Sequence, residues 1–146
     1  MSYCTLKEAD DYFYYSAFSQ SWVDSTNLEK RKALETSTRL IDALPLNILT
    51  EADLEDAAYA EYIAQKENNF EIACAEIALA IVDGVNPEKE FDMLNVASQK
   101  YANSTVSYNR EEFPEHIIYH IPSSLAWQYL KPYVYQAGDV DLYRTS

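Results

Sequence analysis

The sequence predicts a mainly α-helical fold: a small bundle around a buried central helix at about residues 70–83, with a short β strand or hairpin near 104–109 and an extended C-terminal arm. Three observations predict it. Gly occurs only twice in 146 residues, too rarely for a turn-rich β fold. The middle of the chain is rich in Ala, Leu and Glu, which are strong helix formers. The stretch Phe70–Asp83 is apolar around most of a helix circumference. Phe70, Cys74, Ile77 and Ile81 form one stripe, and Ile72, Ala75, Leu79 and Val82 form another. Asn69, Glu76 and Asp83, seven apart, leave a narrow polar strip between them. A helix of this kind is the centre of a bundle. The chain length fits one domain with a sizeable core. Residues 1–132 read as that helical domain and 133–146 as a C-terminal arm.

The elements follow in order. Thr5-Leu6-Lys7-Glu8 is a capping box, so a helix starts at Leu6 and runs to about Tyr14. Leu6, Ala9 and Phe13 give its apolar face. Phe18 and Trp22, four apart, suggest another helical turn. Thr26-Asn27-Leu28-Glu29 is a second capping box, and Leu34, Ser37, Leu40, Ile41 and Leu44 follow it until Pro45 stops the helix. Lys30, Arg31 and Lys32 make the outer face of this helix a basic patch. Thr50-Glu51-Ala52-Asp53 can start a further helix, acidic along one side, and Lys66-Glu67-Asn68-Asn69 reads as a break or a new start. Gly84 caps the central helix. Asn86-Pro87 opens a short helix carrying Phe91 and Leu94. Ser104–Tyr108 is β-prone. Pro114 and Pro122 bracket an irregular apolar segment, Ser123 caps a last helix through Leu130, and Pro132 ends it.

Charge excludes several function classes. The net charge is -13, and Glu51–Asp92 holds twelve Asp/Glu against Lys66 and Lys89. Such a surface repels phosphate at long range, so it is poorly suited to gripping nucleic acid. No run approaches the length that spans a bilayer, and the N-terminus lacks a basic-then-apolar signal. No membrane association is expected, and the chain reads as cytoplasmic where it is made. Cys4 and Cys74 have no metal spacing and are consistent with a reducing compartment.

Candidate chemistry is sparse. Glu112, His116 and His120 are four apart and would share a helix face, as zinc ligands do. The bracketing prolines argue instead for a loop with two ordinary histidines. Glu76 lies on the most apolar helix, where burial would raise its pKa. It reads more simply as part of the polar strip, or as the partner of a basic residue such as Arg39. No nucleophile elbow, Ser/His/Asp order or phosphate loop is present. Asn103-Ser104-Thr105 matches a glycosylation acceptor only incidentally. No enzyme activity, cofactor or metal is therefore expected. Tyr12, Phe13, Tyr14, Tyr15 and Phe18 form an aromatic cluster. Aromatics stack single-stranded bases only beside a positive groove, and Asp10 and Asp11 adjoin this cluster. Core packing plus a subunit contact is the preferred reading.

The order of motifs resembles a family of small tailed-phage proteins. Met1-Ser2-Tyr3-Cys4-Thr5-Leu6-Lys7-Glu8-Ala9-Asp10-Asp11-Tyr12-Phe13 carries the resemblance, as do Trp22, the Lys32–Asp42 stretch and Ala75–Ala80 running into Asp83–Glu88. Ser107-Tyr108 and Ile121–Tyr133 continue it. It covers roughly residues 1–44 and 72–133 and contains no catalytic signature. Between Pro45 and Phe70 relatives carry a Pro-containing loop, whereas this chain is acidic and helix-prone. The family is that of head–tail connector (adaptor, or head-completion) proteins. Some members are labelled as single-stranded-DNA-binding proteins similar to a primosomal protein.

The resemblance implies a structural virion protein at the head–tail interface, in the host cytoplasm before assembly. It implies self-association into a ring of about twelve copies beneath the portal protein, bound also to a tail or tail-completion protein. Duplex DNA would pass through the channel without specific binding, repelled by an acidic wall. The segment with Thr105, Val106, Ser107 and Tyr108 would add a strand to a neighbour's edge. Tyr133, Tyr135, Leu142 and Tyr143 would lie on an arm ordered on assembly. Two alternatives carry different expectations. A single-stranded-DNA-binding protein would bind DNA in a salt-sensitive way. An acidic DNA mimic would inhibit a basic host DNA-binding protein and would present its acid in a regular surface array.

Overall fold

The computed structural model describes residues 2–93 and 114–135. It is mainly α-helical, and no strand occurs among the described residues. The helices are α1 (Leu6–Tyr14), α2 (Gln20–Asp24), α3 (Asn27–Asp42), α4 (Asp56–Val82), α6 (Glu115–Ile118) and α7 (Ser124–Leu130). Between α4 and α6, residues 87–93 form α5. A 3₁₀ turn, Lys131–Tyr133, follows α7. The expected strand or hairpin near 104–109 lies outside the described residues.

Caps set the boundaries. Thr5 Oγ1 accepts from the Glu8 backbone N–H, and Glu8 Oε1 reaches back to the Thr5 N–H, so the first box closes. At α3 only the Thr26 half forms, its Oγ1 accepting from the Glu29 N–H. Ser123 caps α7 through the Ala126 N–H. Gly84, at φ 101°, ends α4. Its N–H donates to the Ile81 carbonyl, and the Val85 N–H donates to the Ala80 carbonyl. This is the paired-bond stop that a left-handed residue permits. The end of α6 repeats it with His120, a non-glycine residue at φ 63°. There the His120 N–H donates to Ile117 and the Ile121 N–H to His116.

The core forms where α4 packs on α3 and α7, with α1 and α2 against the same helix. Trp22, Ile41, Phe70, Ile77, Ile121 and Leu130 are fully buried. Each such side chain contributes about 1.5–3 kcal/mol by leaving water. Phe70 meets Tyr3 and Tyr133 edge-on at 5.2 and 5.3 Å. The burial of Phe70, Ala73, Cys74, Ala75, Ile77 and Ala78 makes this part of α4 the bundle centre, as its pattern predicts.

Several local expectations are corrected. No break occurs at Lys66–Asn69, because α4 runs through it. Asn costs a helix about 0.7 kcal/mol at most. Here Asn69 Nδ2 donates to Tyr133 Oη at 2.9 Å, which offsets that cost. Thr50–Asp53 forms a turn closed by Asp53 Oδ2 on the Thr50 N–H, and the helix starts later, at Asp56. Phe18 lies outside α2 and is exposed, while Trp22 alone turns inward. The segment between Pro114 and Pro122 holds the short helix α6 rather than being irregular throughout.

Residues 133–135, expected to open a C-terminal arm, belong to the folded body. Tyr133 and Val134 are buried. Residues 133–135 run antiparallel beside 45–47, with a bridge between Leu46 and Val134. The Asn47 N–H donates to the Tyr133 carbonyl at 2.7 Å, and the Tyr135 N–H donates to the Pro45 carbonyl at 2.8 Å. The folded body therefore extends to residue 135.

Candidate functional site

The aromatic run Tyr12–Tyr15 sits at the C-terminal end of α1, where successive side chains are about 100° apart. Helix geometry therefore divides the run. Phe13 enters the core and packs on Trp22 at 5.0 Å. Tyr12 lies half-buried against α4, and its Oη donates to Glu76 Oε1 at 2.7 Å. Tyr14 and Tyr15 are left in solvent, 79% and 88% exposed, touching each other edge-on at 4.9 Å.

The following loop adds a third aromatic. Ser19 is buried, and its Oγ donates to the Phe13 carbonyl at 3.1 Å with a second contact at 3.2 Å to the Ser16 carbonyl. These bonds tie the loop to the end of α1 and fix it. Phe18 consequently projects outward, 91% exposed. Val23 near the end of α2 and Leu28 at the start of α3 are also exposed. One corner of the molecule thus presents three large aromatic side chains on anchored backbone. Exposed apolar groups of this size mark interaction sites.

The corner is acidic at its rim. Asp11 and Asp24 are exposed. The nearby Lys30 is spent internally. Its Nζ lies 3.1 Å from Asp10 Oδ1 and 5.4 Å from the Trp22 ring centre, and its side chain is only 12% exposed. Trp22 Nε1 donates to the same Asp10 oxygen at 2.9 Å. Lys30 therefore does not belong to the outer basic face of α3. That face carries Arg31, Lys32 and Arg39, gathered around Glu35 and Thr36 in a shallow hollow.

The polar strip on α4 has a structural role. Asn69 bonds Tyr133, Glu76 bonds Tyr12, and Asp83 accepts from Ser21 Oγ. Glu76 is thus held by Tyr12 and not by Arg39. The two histidines are separated: His116 Nδ1 is 2.8 Å from the Ile121 carbonyl, and His120 stacks on Phe91 at 4.4 Å. Helix α6 ends at Ile118, so the shared face on which a zinc site depended does not form. Glu112 lies outside the described residues.

Of the residues singled out as contacts, Tyr133 is a core residue and Tyr135 is exposed at the end of the folded body. Thr105, Val106, Ser107, Tyr108, Leu142 and Tyr143 lie outside the described residues. The sequence grouped all five aromatics of the α1 cluster together. The signal separating them was the helix end after Tyr14, which frees Tyr15 and Phe18 from helical register.

A carboxyl pair was not anticipated. Glu8 on α1 and Glu71 on α4 lie near enough to shift each other's titration. Burial, then the neighbouring Glu8, pushes the Glu71 carboxyl up. The Thr5 hydroxyl, then Glu71, holds Glu8 down. Among the described residues no group of three His, Cys, Asp or Glu is placed to hold a metal ion. No helix there is long and apolar enough to cross a membrane. Comparisons with protein-family models, curated proteins and solved structures found no match to this chain.

Proposed function

We propose that this chain is a non-catalytic assembly subunit, a head–tail adaptor that joins a phage portal to the tail as one member of a ring. The observation that carries the reading is the aromatic corner of Tyr14, Tyr15 and Phe18. It lies on a small helical body whose fold does not use it. Its backbone is fixed before binding, which lowers the entropy cost of docking. The acidic surface fits passage of duplex DNA with little adhesion. The resemblance across residues 1–44 and 72–133 supplies the identity of the neighbours: portal protein, tail protein and further copies of the chain. Single-stranded-DNA binding is disfavoured. Base stacking needs a free cation beside the aromatics, and Lys30, which packs on the neighbouring Trp22, is already held by Asp10.

The test is negative-stain microscopy of the chain mixed with the portal protein of its own phage. A second sample lacks residues 136–146. This boundary keeps Tyr133 and Val134, which the core requires. Rings stacked on the portal support the adaptor reading, and their loss on truncation assigns the tail as a docking arm. No association with the portal overturns the reading.

A further inference from the structure

We infer that copies of this chain meet head to tail, the protruding first half of α4 on one copy lying against the basic hollow of α3 on the next. The inference rests on the ring-forming reading above and names the faces that pair.

The first half of α4 runs past its neighbours. Tyr3 bonds Asp42 near the end of α3 and packs on Phe70, so α3 stops level with Phe70. Residues 56–69 continue beyond it. At 1.5 Å per residue this is about 20 Å of helix. One side is held by Tyr62, whose ring meets Tyr133 at 6.0 Å and whose Oη accepts from the Leu49 N–H. The other side is open. Asp56, Ala57, Ala60, Glu61, Ala64 and Glu67 are all exposed. By helical angle, Ala57, Ala60 and Ala64 form a strip between Asp56 and Glu67 on one flank and Glu61 on the other. Alanine lets a second helix approach to about 8 Å.

The complementary surface is on the same chain. Arg31, Lys32 and Arg39 line the α3 hollow around Glu35 and Thr36. Among the described residues the salt bridges are Lys30–Asp10 and Lys131–Glu115, so these three cations have no ion-pair partner there. Lys32 also lines a groove with Ile81 and Val82, roughly 30 Å along α4 from Glu61. Within one copy none of Arg31, Lys32 and Arg39 forms an ion pair with the acidic helix among the described residues. Two different faces on one subunit make a heterologous contact, which closes into a ring or grows into a filament. The occupant of each face is thus another copy.

Charge exchange tests this, with the full exchange as the control for net charge. One variant carries Arg31→Glu and Arg39→Glu, a second carries Glu61→Lys and Glu67→Lys, and a third carries all four, restoring the net charge of -13. Self-association is measured by sedimentation at high protein concentration, and ring formation on the portal by microscopy. Each two-residue variant should associate at least about tenfold more weakly than wild type. The four-residue variant should recover, as should a mixture of the two partial ones. Circular dichroism confirms that each variant is folded. Recovery in neither case, or partial variants that associate like wild type, overturns the contact. Portal rings that form regardless of the exchanges overturn it while leaving the adaptor reading intact. Charge-dependent self-association without any portal binding supports the contact and removes the adaptor reading.

Discussion

Tyr12 Oη donates to Glu76 Oε1 at 2.7 Å across 64 residues of sequence, joining α1 to α4. It is the middle of three such joints along one strip, with Asn69 to Tyr133 on one side and Asp83 to Ser21 on the other. The strip that interrupts an otherwise apolar helix is where three surrounding elements are pinned in register. A hydrogen bond to a charged acceptor contributes about 1.5–3 kcal/mol. Tyr12→Phe should therefore lower unfolding stability by about 1.5 kcal/mol in urea titration with an unchanged slope. Glu76→Gln, whose amide oxygen still accepts, should cost less than Glu76→Ala. Equal costs for the two Glu76 variants would show that the bond is not what matters.

The same joint makes the fold sensitive to alkali. Burial, then the bonded Asp42, pushes the Tyr3 phenol up to about 12. Burial, then Glu76, pushes Tyr12 up as well. Both protons are held more tightly in the folded state than in the unfolded one. Their contribution to stability is complete below pH 10, where the unfolded phenol titrates, and is lost as pH rises through the folded values. Urea unfolding at successive pH values should show stability falling from about pH 10. The fall should be shallower in the combined Tyr3→Phe, Tyr12→Phe protein. A fall of the same steepness in that variant would place its origin elsewhere.

Elements governed by local chemistry were legible in the sequence. Thr5, Thr26, Ser123 and Gly84 mark real helix ends, because each cap is made within a few residues of chain. The apolar wrap of Phe70–Val82 located the centre of the bundle for the same reason. Tyr133 was misread as the start of an arm, because its burial depends on Asn69 and Phe70, distant in sequence. Asn68 and Asn69 suggested a break because propensity is weak and tertiary bonding overrides it. Lys30 looked exposed beside Arg31 and Lys32, yet Asp10 and Trp22 draw it inward. The exposed aromatic corner was only half legible, since the end of α1 decides which rings leave the core.

Glu8 and Glu71 predict a stabilising substitution. The folded pKa of Glu71 is raised by burial and by Glu8. Its contribution is therefore favourable below the ordinary carboxylate range and lost as pH rises through the folded value. At neutral pH two carboxylates face each other at some cost. Glu71→Gln keeps a donor for Glu8 and removes that repulsion. It should raise stability by about 0.5 kcal/mol at pH 7, a gain that shrinks as pH falls and Glu71 takes up its proton. Thermal melts at pH 7 and at lower pH decide it. Destabilisation by Glu71→Gln at pH 7 would refute the repulsion between the two carboxyls.

The two thiols should report on opening of the core. Burial pushes Cys74 up to about 11, and burial and then the neighbouring Cys74 thiol push Cys4 higher still. Both are free and buried, and Cys74 Sγ lies 3.7 Å from the Leu34 carbonyl and from Thr38 Oγ1. The thiolate is the reactive form. An aromatic disulfide reagent at pH 8 should therefore modify the native protein about a hundredfold or more slowly than the urea-unfolded chain. Fast labelling of either residue under native conditions would show that the core around α4 opens locally.

The aromatic corner allows function to be separated from folding. Tyr14, Tyr15 and Phe18 make little contact with the body, so replacing all three with Ser should change stability by no more than about 0.5 kcal/mol. Phe13→Ala, only one residue from Tyr14, should cost about 3–5 kcal/mol because it empties the core beside Trp22. Binding should show the reverse. Buried aromatic anchors typically contribute 2 kcal/mol or more at an interface. The triple variant should therefore bind its partner at least about thirtyfold more weakly while melting like wild type. Melting temperature and portal-ring occupancy measured on the same preparation distinguish the two effects. A triple variant that assembles normally would remove this corner from the interface and leave α3, α4 and the C-terminal segment to supply it.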